Sequence, residues 1–173
     1  MTIGVISDTH GFLHPEVAQH FTGVDRIMHA GDVGTVEVLD DLENIAPVMG
    51  VYGNVDGREV RLRLPEHQRI ELEGLRIWMT HIGGRPGRYD RAVRNQIGRD
   101  TPDIFICGHS HILQVARDAD VGGMLFINPG AAGREGLHQV KTCLRLEIVD
   151  GDVRKAEVIH LDEGSRPNFP SHA

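Results

Sequence analysis

The sequence predicts an α/β protein in which two β-sheets pack together with helices on their outer faces. Two patterns support this prediction: apolar segments alternate with amphipathic ones early in the chain, and hairpin signals dominate later. The chain has 173 residues, of which 40% are hydrophobic and 25% charged, and this suits a single compact domain. We assign that domain to residues 1–162 and expect the polar, Pro-containing residues 163–173 to form a flexible tail.

The first third of the chain predicts parallel strands joined by crossover helices. Three apolar segments are expected to form buried strands: Ile3–Ile6, Val24–His29 and Pro47–Tyr52. A helix that begins near Pro15 is expected to end at Gly23, and a second helix is expected to be capped by Thr35. Their predicted inward-facing residues are Val17, Ala18, Phe21, Val38, Leu39 and Leu42. This βαβαβ order requires parallel pairing.

The remainder predicts antiparallel hairpins around one further helix. Glu73-Gly74 and Asp150-Gly151 each separate two apolar segments, which is typical of hairpin turns. The predicted strands are Arg69–Leu72, Leu75–Thr80, Ile104–Cys107, Ile112–Ala116, Met124–Ile127, Cys143–Val149 and Val153–His160. The further helix is predicted from the helical spacing of four residues, Tyr89, Ala92, Val93 and Ile97.

Composition disfavours several classes of protein. The N-terminal segment lacks a basic region, and no apolar run is long enough to span a bilayer, so we expect a cytoplasmic protein without a signal peptide or membrane contact. Cys107 and Cys143 each stand alone in apolar stretches, which favours reduced, buried thiols. The net charge of -7 gives no strong case for nucleic-acid binding.

Metal-ligand residue types recur at the predicted strand ends. They occur in the segments Asp8-Thr9-His10, Gly31-Asp32, Gly53-Asn54, Thr80-His81 and Gly108-His109-Ser110-His111. Because parallel strands end at one edge of a sheet, these five segments are expected to converge. In an extended segment Asp8 and His10 would point the same way. Imidazole, carboxylate and amide groups together suit manganese, iron, zinc, nickel or cobalt.

The ordered set DTH, GDVG, GNVD, TH and GHSH resembles the calcineurin-like metallophosphoesterase superfamily, and particularly its small bacterial and archaeal phosphodiesterases. This resemblance covers about residues 1–160. It implies a four-layer αββα sandwich of two mixed sheets flanked by helices, with two divalent metal ions at the strand edge. Manganese is the expected metal, with nickel, zinc, iron, cobalt and magnesium as alternatives.

The resemblance also implies roles for individual residues. Asp8, His10 and His111 would hold one ion, Asn54, His81 and His109 the other, and Asp32 would bridge both. His10, Asp32 and Asn54 are the expected catalytic residues. A bridging hydroxide would attack phosphorus in line. Two divalent ions, two carboxylates and this hydroxide sum to a charge of about +1, which matches a phosphodiester monoanion.

The residue that follows the motif asparagine departs from much of the superfamily. Many members have a histidine there as leaving-group acid, whereas this chain has Val55. Asp56 is the nearest ionisable substitute, although a structural turn aspartate is the favoured interpretation, and His10 is another candidate. Without a good acid, esters with acidic leaving groups are expected to react best.

Other residues near the motifs have alternative interpretations. Arg85 and Arg88 are candidate phosphate contacts or solvated loop residues, and Trp78 is expected in the core. Asn128-Pro129-Gly130 is expected to shape a loop beside the site. The histidines outside the motifs are expected to be structural or on the surface.

Three functions remain open at this stage. The preferred one is phosphodiester hydrolysis, with a phosphoester small molecule or nucleotide as substrate and a homodimer as a compatible assembly. The alternative is a non-catalytic metal-binding scaffold like the retromer subunit of this fold, but Asp32 and Asn54 keep the enzyme-like pattern. A DNA repair nuclease is less favoured because those chains are longer and carry histidine where Val55 stands.

Overall fold

The computed structural model describes residues 1–136 and 140–161, so the tail expected over 163–173 lies outside the described residues. The helices are α1 (Glu16–His20), α2 (Val36–Glu43), α3 (Arg58–Arg63) and α4 (Arg91–Arg99). The strands are β1 (Thr2–Ile6), β2 (Arg26–His29), β3 (Val48–Gly50), β4 (His67–Leu72), β5 (Leu75–Thr80), β6 (Gly84–Arg85), β7 (Arg88–Tyr89), β8 (Ile104–Ile106), β9 (Gln114–Asp118), β10 (Met124–Asn128), β11 (Thr142–Val149) and β12 (Asp152–His160).

Two five-stranded mixed sheets form the centre of the fold. The first has the order β12-β11-β1-β2-β3, and the second has the order β4-β5-β8-β10-β9. Strands β1, β2 and β3 are parallel to one another, and so are β5, β8 and β10. The predicted hairpins β4–β5 and β11–β12 are antiparallel, as expected. Each sheet therefore presents the carboxyl ends of three parallel strands.

Alternating side chains on the strands produce the layers. In β8, Ile104 and Ile106 point into the core between the sheets, whereas Phe105 packs toward Val93 and Ile97 of α4. Two outer clusters complete the arrangement, one beneath α1, α2 and α3 and one beneath α4. The central strands β1, β5, β8 and β10 are buried almost throughout, so apolar burial stabilises the sheets together with the helices that cover them. The predicted αββα sandwich is confirmed.

Several details differ from the prediction. Ala18 and Ala92 are exposed, because their short helices bury only Val17 in α1 and Val93 and Ile97 in α4. Tyr89 belongs to β7 rather than to a helix. Three strands begin later than expected, at Arg26, Val48 and Gln114.

Helix α3 was not predicted, since its sequence, REVRLR, buries only Val60 and carries little apolar periodicity. None of the helices in the described ranges is long and apolar enough to cross a bilayer.

Candidate metal centre

The predicted ligand segments all follow carboxyl ends of parallel strands. Asp8 follows β1, Asp32 follows β2, Asn54 follows β3, His81 follows β5, and His109 and His111 follow β8. The two sheets place these strand ends together, as the sequence predicted.

The backbone around these ligands is not extended. Asp8 (φ 55°), His10 (φ 48°) and Asp32 (φ 51°) have left-handed conformations, as do His109 (φ 67°) and His111 (φ 56°). The prediction that Asp8 and His10 converge through extended alternation is therefore wrong in mechanism, although both side chains reach the same cluster. Asp and His tolerate this conformation better than most residues.

The first ligand cluster consists of Asp8, His10 and His111, whose ligand atoms lie within 4.8 Å of one another. His111 Nε2 is 3.2 Å from Asp8 Oδ1 and 3.4 Å from His10 Nε2. Asp8 is fully buried, whereas the two histidines are partly exposed. The cluster is therefore anchored inside the fold and accessible from outside.

The second cluster consists of Asp32, His81 and His109, again with ligand atoms within 4.8 Å of one another. His81 Nε2 lies 3.1 Å from Asp32 Oδ2 and 4.0 Å from Asp8 Oδ1, so the two clusters adjoin. Asn54 is exposed and lines the same cavity of about 370 Å³ as His81. The structure thus brings six of the predicted ligands into two clusters and places Asn54 in the lining of the adjoining cavity, while the bridging role of Asp32 stays a prediction.

Two buried polar atoms indicate that this site suits a cation. His81 Nδ1 donates to the carbonyl of Ala30 at 2.7 Å, which leaves the Nε2 lone pair of a neutral ring directed toward Asp32. Within the described chain, neither His81 Nε2 nor Asp8 Oδ1 has a hydrogen-bond partner of suitable geometry. Such atoms are costly to bury unless a proton or metal ion compensates them. The donor set therefore fits divalent metal.

The electrostatics of the site agree with this conclusion. Burial alone would lower the pKa of His81, but the carboxylates of Asp32 and Asp8 raise it above its ordinary value. Asp8 likewise raises the pKa of His111. Burial opposes ionisation of Asp32, yet His81 and the N–H of Val55 lower its pKa overall. The site therefore attracts positive charge.

A frame of buried hydrogen bonds fixes the first cluster. Ser7 Oγ donates to Asp8 Oδ2 at 2.6 Å, and the backbone N–H of His109 donates to the same oxygen at 3.2 Å. The amide of Asn128 donates to the carbonyl of Gly108 at 2.8 Å and to Ser110 Oγ at 3.0 Å. The prediction that Asn128 shapes a loop beside the site is confirmed.

His29 and Thr9 form a second part of the frame. Gly31 N–H donates to His29 Nδ1 at 3.2 Å, so the ring proton is on Nε2, which donates to Thr9 Oγ1 at 3.0 Å. The Thr9 hydroxyl then donates to Val33 at 2.9 Å. Burial lowers the pKa of His29 to about 4, so the ring stays neutral near pH 7. No motif in the sequence indicates this role.

Asp56 connects two ligand loops rather than facing the reaction. It is only 4% exposed, and its carboxylate accepts N–H groups from Gly34 (2.7 Å), Gly53 (2.7 Å) and Val33 (3.2 Å). Its own carbonyl accepts a hydrogen bond from Arg61 Nε at 2.7 Å. These contacts favour the structural interpretation of Asp56 over the acid. Val55 is 56% exposed and offers no ionisable group.

The remaining sequence predictions concern residues outside the two clusters. Trp78 is 1% exposed and packs against Phe105, which confirms its place in the core. Cys107 and Cys143 are free and buried, and burial raises both thiol pKa values to about 12. Arg85 and Arg88 line a separate cavity that also contacts Ser110.

A two-sheet sandwich that gathers Asp, His and Asn at one strand edge defines a metal-dependent phosphoesterase fold, and comparison with known proteins agrees. The calcineurin-like phosphoesterase superfamily domain matches residues 1–151. A probable metallophosphoesterase of Methanocaldococcus jannaschii is 36% identical over 169 residues, covering 94% of this chain and 83% of the relative. The chain belongs to the calcineurin-like phosphoesterase superfamily.

Solved structures show the same fold. Entamoeba histolytica Vps29 complexed with zinc is 28% identical, with a TM-score of 0.67 and coverage of 94% of this chain and 100% of that one. An archaeal phosphodiesterase has a TM-score of 0.71 at 24% identity and covers 92% of this chain and 100% of its own. This last similarity concerns the fold alone.

Proposed function

We propose that this protein is a metal-dependent phosphodiesterase with a dinuclear centre. The observation that carries the proposal is the pair of adjoining ligand clusters, Asp8-His10-His111 and Asp32-His81-His109, with Asn54 beside the second. Bound divalent ions would lower the pKa of coordinated water and neutralise charge on the phosphoryl oxygens. Manganese is the proposed metal.

The protein residues would orient the reaction. Asp8 is held by Ser7 and by the N–H of His109, and Asp32 is held by the N–H of Val55 at 3.1 Å. These bonds hold one oxygen of each carboxylate and leave the other oxygen to point into the site, so each carboxylate is oriented for a metal ion before it binds. His10, whose side chain is 11% exposed, would contact a phosphoryl oxygen or a leaving group.

The preferred substrate is a diester rather than a monoester. A monoester dianion would need additional cationic contacts at the ions, and the two clusters themselves consist of carboxylates and histidines. The substrate is proposed to be a phosphoester small molecule or a nucleotide. A homodimer in the cytoplasm is the proposed state of the protein.

The test is manganese-dependent hydrolysis of bis(p-nitrophenyl) phosphate by the wild-type protein and by the Asp32→Ala variant. We expect turnover by the wild type and a loss of at least about 100-fold in Asp32→Ala, because a metal ligand is removed. Asp41→Ala, which removes an exposed carboxylate from α2, is the matched control and should retain full activity.

Equal rates for the wild type and Asp32→Ala would contradict the enzyme proposal and favour the non-catalytic metal-binding scaffold. The monoester p-nitrophenyl phosphate provides the second comparison. Monoester turnover equal to or faster than diester turnover would contradict the proposed substrate class.

A further inference from the structure

A cavity of about 580 Å³ beside the metal centre is lined by an unusual concentration of arginine. Four guanidinium-bearing residues contribute to it, and we call this cavity the arginine pocket. They are Arg85, Arg88, Arg91 and Arg94. Asp90 is the carboxylate residue in its lining, and the Asp90 side chain already accepts the N–H of Ala92 as the cap of α4. The pocket is therefore strongly positive on a chain of net charge -7.

These arginines are not used by the fold. All four are exposed, and none has a side-chain hydrogen bond or ion pair with another residue in the described ranges. Elsewhere in the described chain, arginines such as Arg63, Arg69 and Arg76 pair with carboxylates. Guanidinium groups that converge on a cavity without a carboxylate partner suit a bound oxyanion, since each can donate two parallel hydrogen bonds.

The pocket adjoins the metal centre through Ser110, which stands between the ligands His109 and His111. Ser110 Oγ accepts hydrogen bonds from Asn128 at 3.0 Å and from the N–H of Ile112 at 3.3 Å. Both of its lone pairs are thereby used, so its hydroxyl proton is available to donate to an acceptor in the pocket.

One wall of the pocket is apolar and fixed. Tyr89 and Phe126 line it, with ring centroids 6.2 Å apart, and the Tyr89 hydroxyl donates to Asp118 at 2.6 Å. Because Tyr89 is held by this bond, its ring offers a rigid surface beside the arginines. Such a combination suits an anionic group attached to an organic moiety.

We propose that the arginine pocket binds a second phosphoryl group of the substrate, so that the substrate is a phosphoanhydride carrying an organic group on each phosphorus. This inference rests on the proposed function and specifies its substrate class. Two phosphoryl groups that share a bridging oxygen are adjacent, and the arginine pocket meets the metal centre at Ser110, between His109 and His111 in sequence. The four arginines would distinguish such a substrate from a simple diester.

The same substrate class removes the difficulty created by Val55. Water oxygen bonds to the phosphorus at the metal centre, and the bond from that phosphorus to the bridging oxygen breaks. The departing oxygen leaves as part of a phosphate monoester, and the two protons of water are released to solvent near neutral pH. A phosphate monoester is a far more acidic leaving group than an alcohol, so no protein acid has to protonate it.

The kinetic test compares a phosphoanhydride, P1,P2-di(adenosine-5′) diphosphate, with bis(p-nitrophenyl) phosphate on the manganese-loaded protein. In the Arg91→Ala/Arg94→Ala variant the ratio of their kcat/KM values should fall by about tenfold or more, because charge-assisted contacts to one substrate are removed. The control, Arg99→Ala/Arg154→Ala, removes the same charge outside the pocket and should keep the wild-type ratio. A ratio that stays within about twofold of wild type would overturn the proposal.

A binding measurement separates this inference from the proposed function. Calorimetric titration of the metal-free protein should show tighter binding of adenosine 5′-diphosphate than of adenosine 5′-monophosphate, and Arg91→Ala/Arg94→Ala should abolish the difference. Equal binding of the two nucleotides, or a difference that survives in the variant, would exclude the subsite even if diesters are hydrolysed. Failure of diester hydrolysis alone would contradict only the catalytic proposal.

Discussion

Replacement of Asp56 by alanine tests whether a buried carboxylate supports the metal site through the backbone. The three N–H groups that Asp56 accepts belong to the loops that carry Asp32 and Asn54, at distances of 2.7, 2.7 and 3.2 Å. Each N–H left without an acceptor costs about 1–3 kcal/mol, and partial relaxation reduces the sum. We expect Asp56→Ala to lower the free energy of unfolding by about 3–5 kcal/mol.

Urea unfolding followed by the fluorescence of the buried Trp78 measures this loss. Asp41→Ala again serves as the control and should change stability by less than about 0.5 kcal/mol, because Asp41 is exposed. A loss below about 1 kcal/mol in Asp56→Ala would refute the reasoning, since three N–H groups, two of them in buried hydrogen bonds, cannot lose their acceptor at so small a cost.

The kinetics of Asp56→Asn separate a supporting residue from a leaving-group acid. Aryl phosphodiesters whose phenols differ in pKa provide the series. If Asp56 only holds the loops, kcat/KM should fall by a similar factor for every ester. A loss that grows steadily with the pKa of the leaving phenol would identify Asp56 as the acid and contradict our interpretation.

Three further perturbations address other parts of the site. Burial lowers the pKa of His29 from 6.5 to about 4, so between these pH values the unfolded chain binds a proton that the folded chain does not. The free energy of unfolding should therefore fall as the pH drops from 6.5 toward 4, by on the order of 3 kcal/mol in total. In the metal-free His29→Gln variant this free energy should depend less steeply on pH than in the metal-free wild type. The same slope in both proteins would contradict this. In Gly53→Ala the added methyl would lie 2.7 Å from the Asp32 carboxylate carbon, so the affinity for manganese, measured by calorimetry, should fall at least about tenfold. The control Gly98→Ala adds a methyl with no atom within 4 Å, and its manganese affinity should equal that of the wild type. Val55→His should raise turnover of esters with poor leaving groups more than that of aryl esters, and a uniform change across leaving groups would exclude an acid role at this position.

The convergence of the candidate ligands could be predicted from the sequence because two rules act together at these positions. Parallel strands end at a common edge, and Asp, His and Asn are strongly unexpected at five such ends in one chain. The same reasoning placed the hairpins and most of the helices, since their turn residues and apolar spacing are local signals. It failed at α3, Ala18 and Ala92, where short helices bury one or two residues and the apolar pattern is too brief to define a face.

The supporting residues could not be found this way because their chemistry is ordinary. Ser7, Thr9 and His29 occur in most proteins without any relation to a metal site. Their roles follow from tertiary contacts between strands, such as the 3.0 Å bond between Thr9 and His29, which are twenty residues apart in sequence. Sequence patterns reveal residue types, whereas these hydrogen bonds depend on which N–H and carbonyl groups the fold leaves without a backbone partner.

The left-handed backbone at the candidate ligands explains why they need the supporting residues. Asp8, His10, Asp32, His109 and His111 each have a φ between 48° and 67°, a conformation that costs an L-residue roughly 1–2 kcal/mol. Such a set persists only where the surroundings fix each residue, and it concentrates at functional sites. Here Thr9, Asp56 and Asn128 hold the loops through hydrogen bonds to backbone atoms, and Ser7 holds the carboxylate of Asp8. The strain turns the ligands off their strands toward a common point, so metal binding should offset a cost that the metal-free fold already bears.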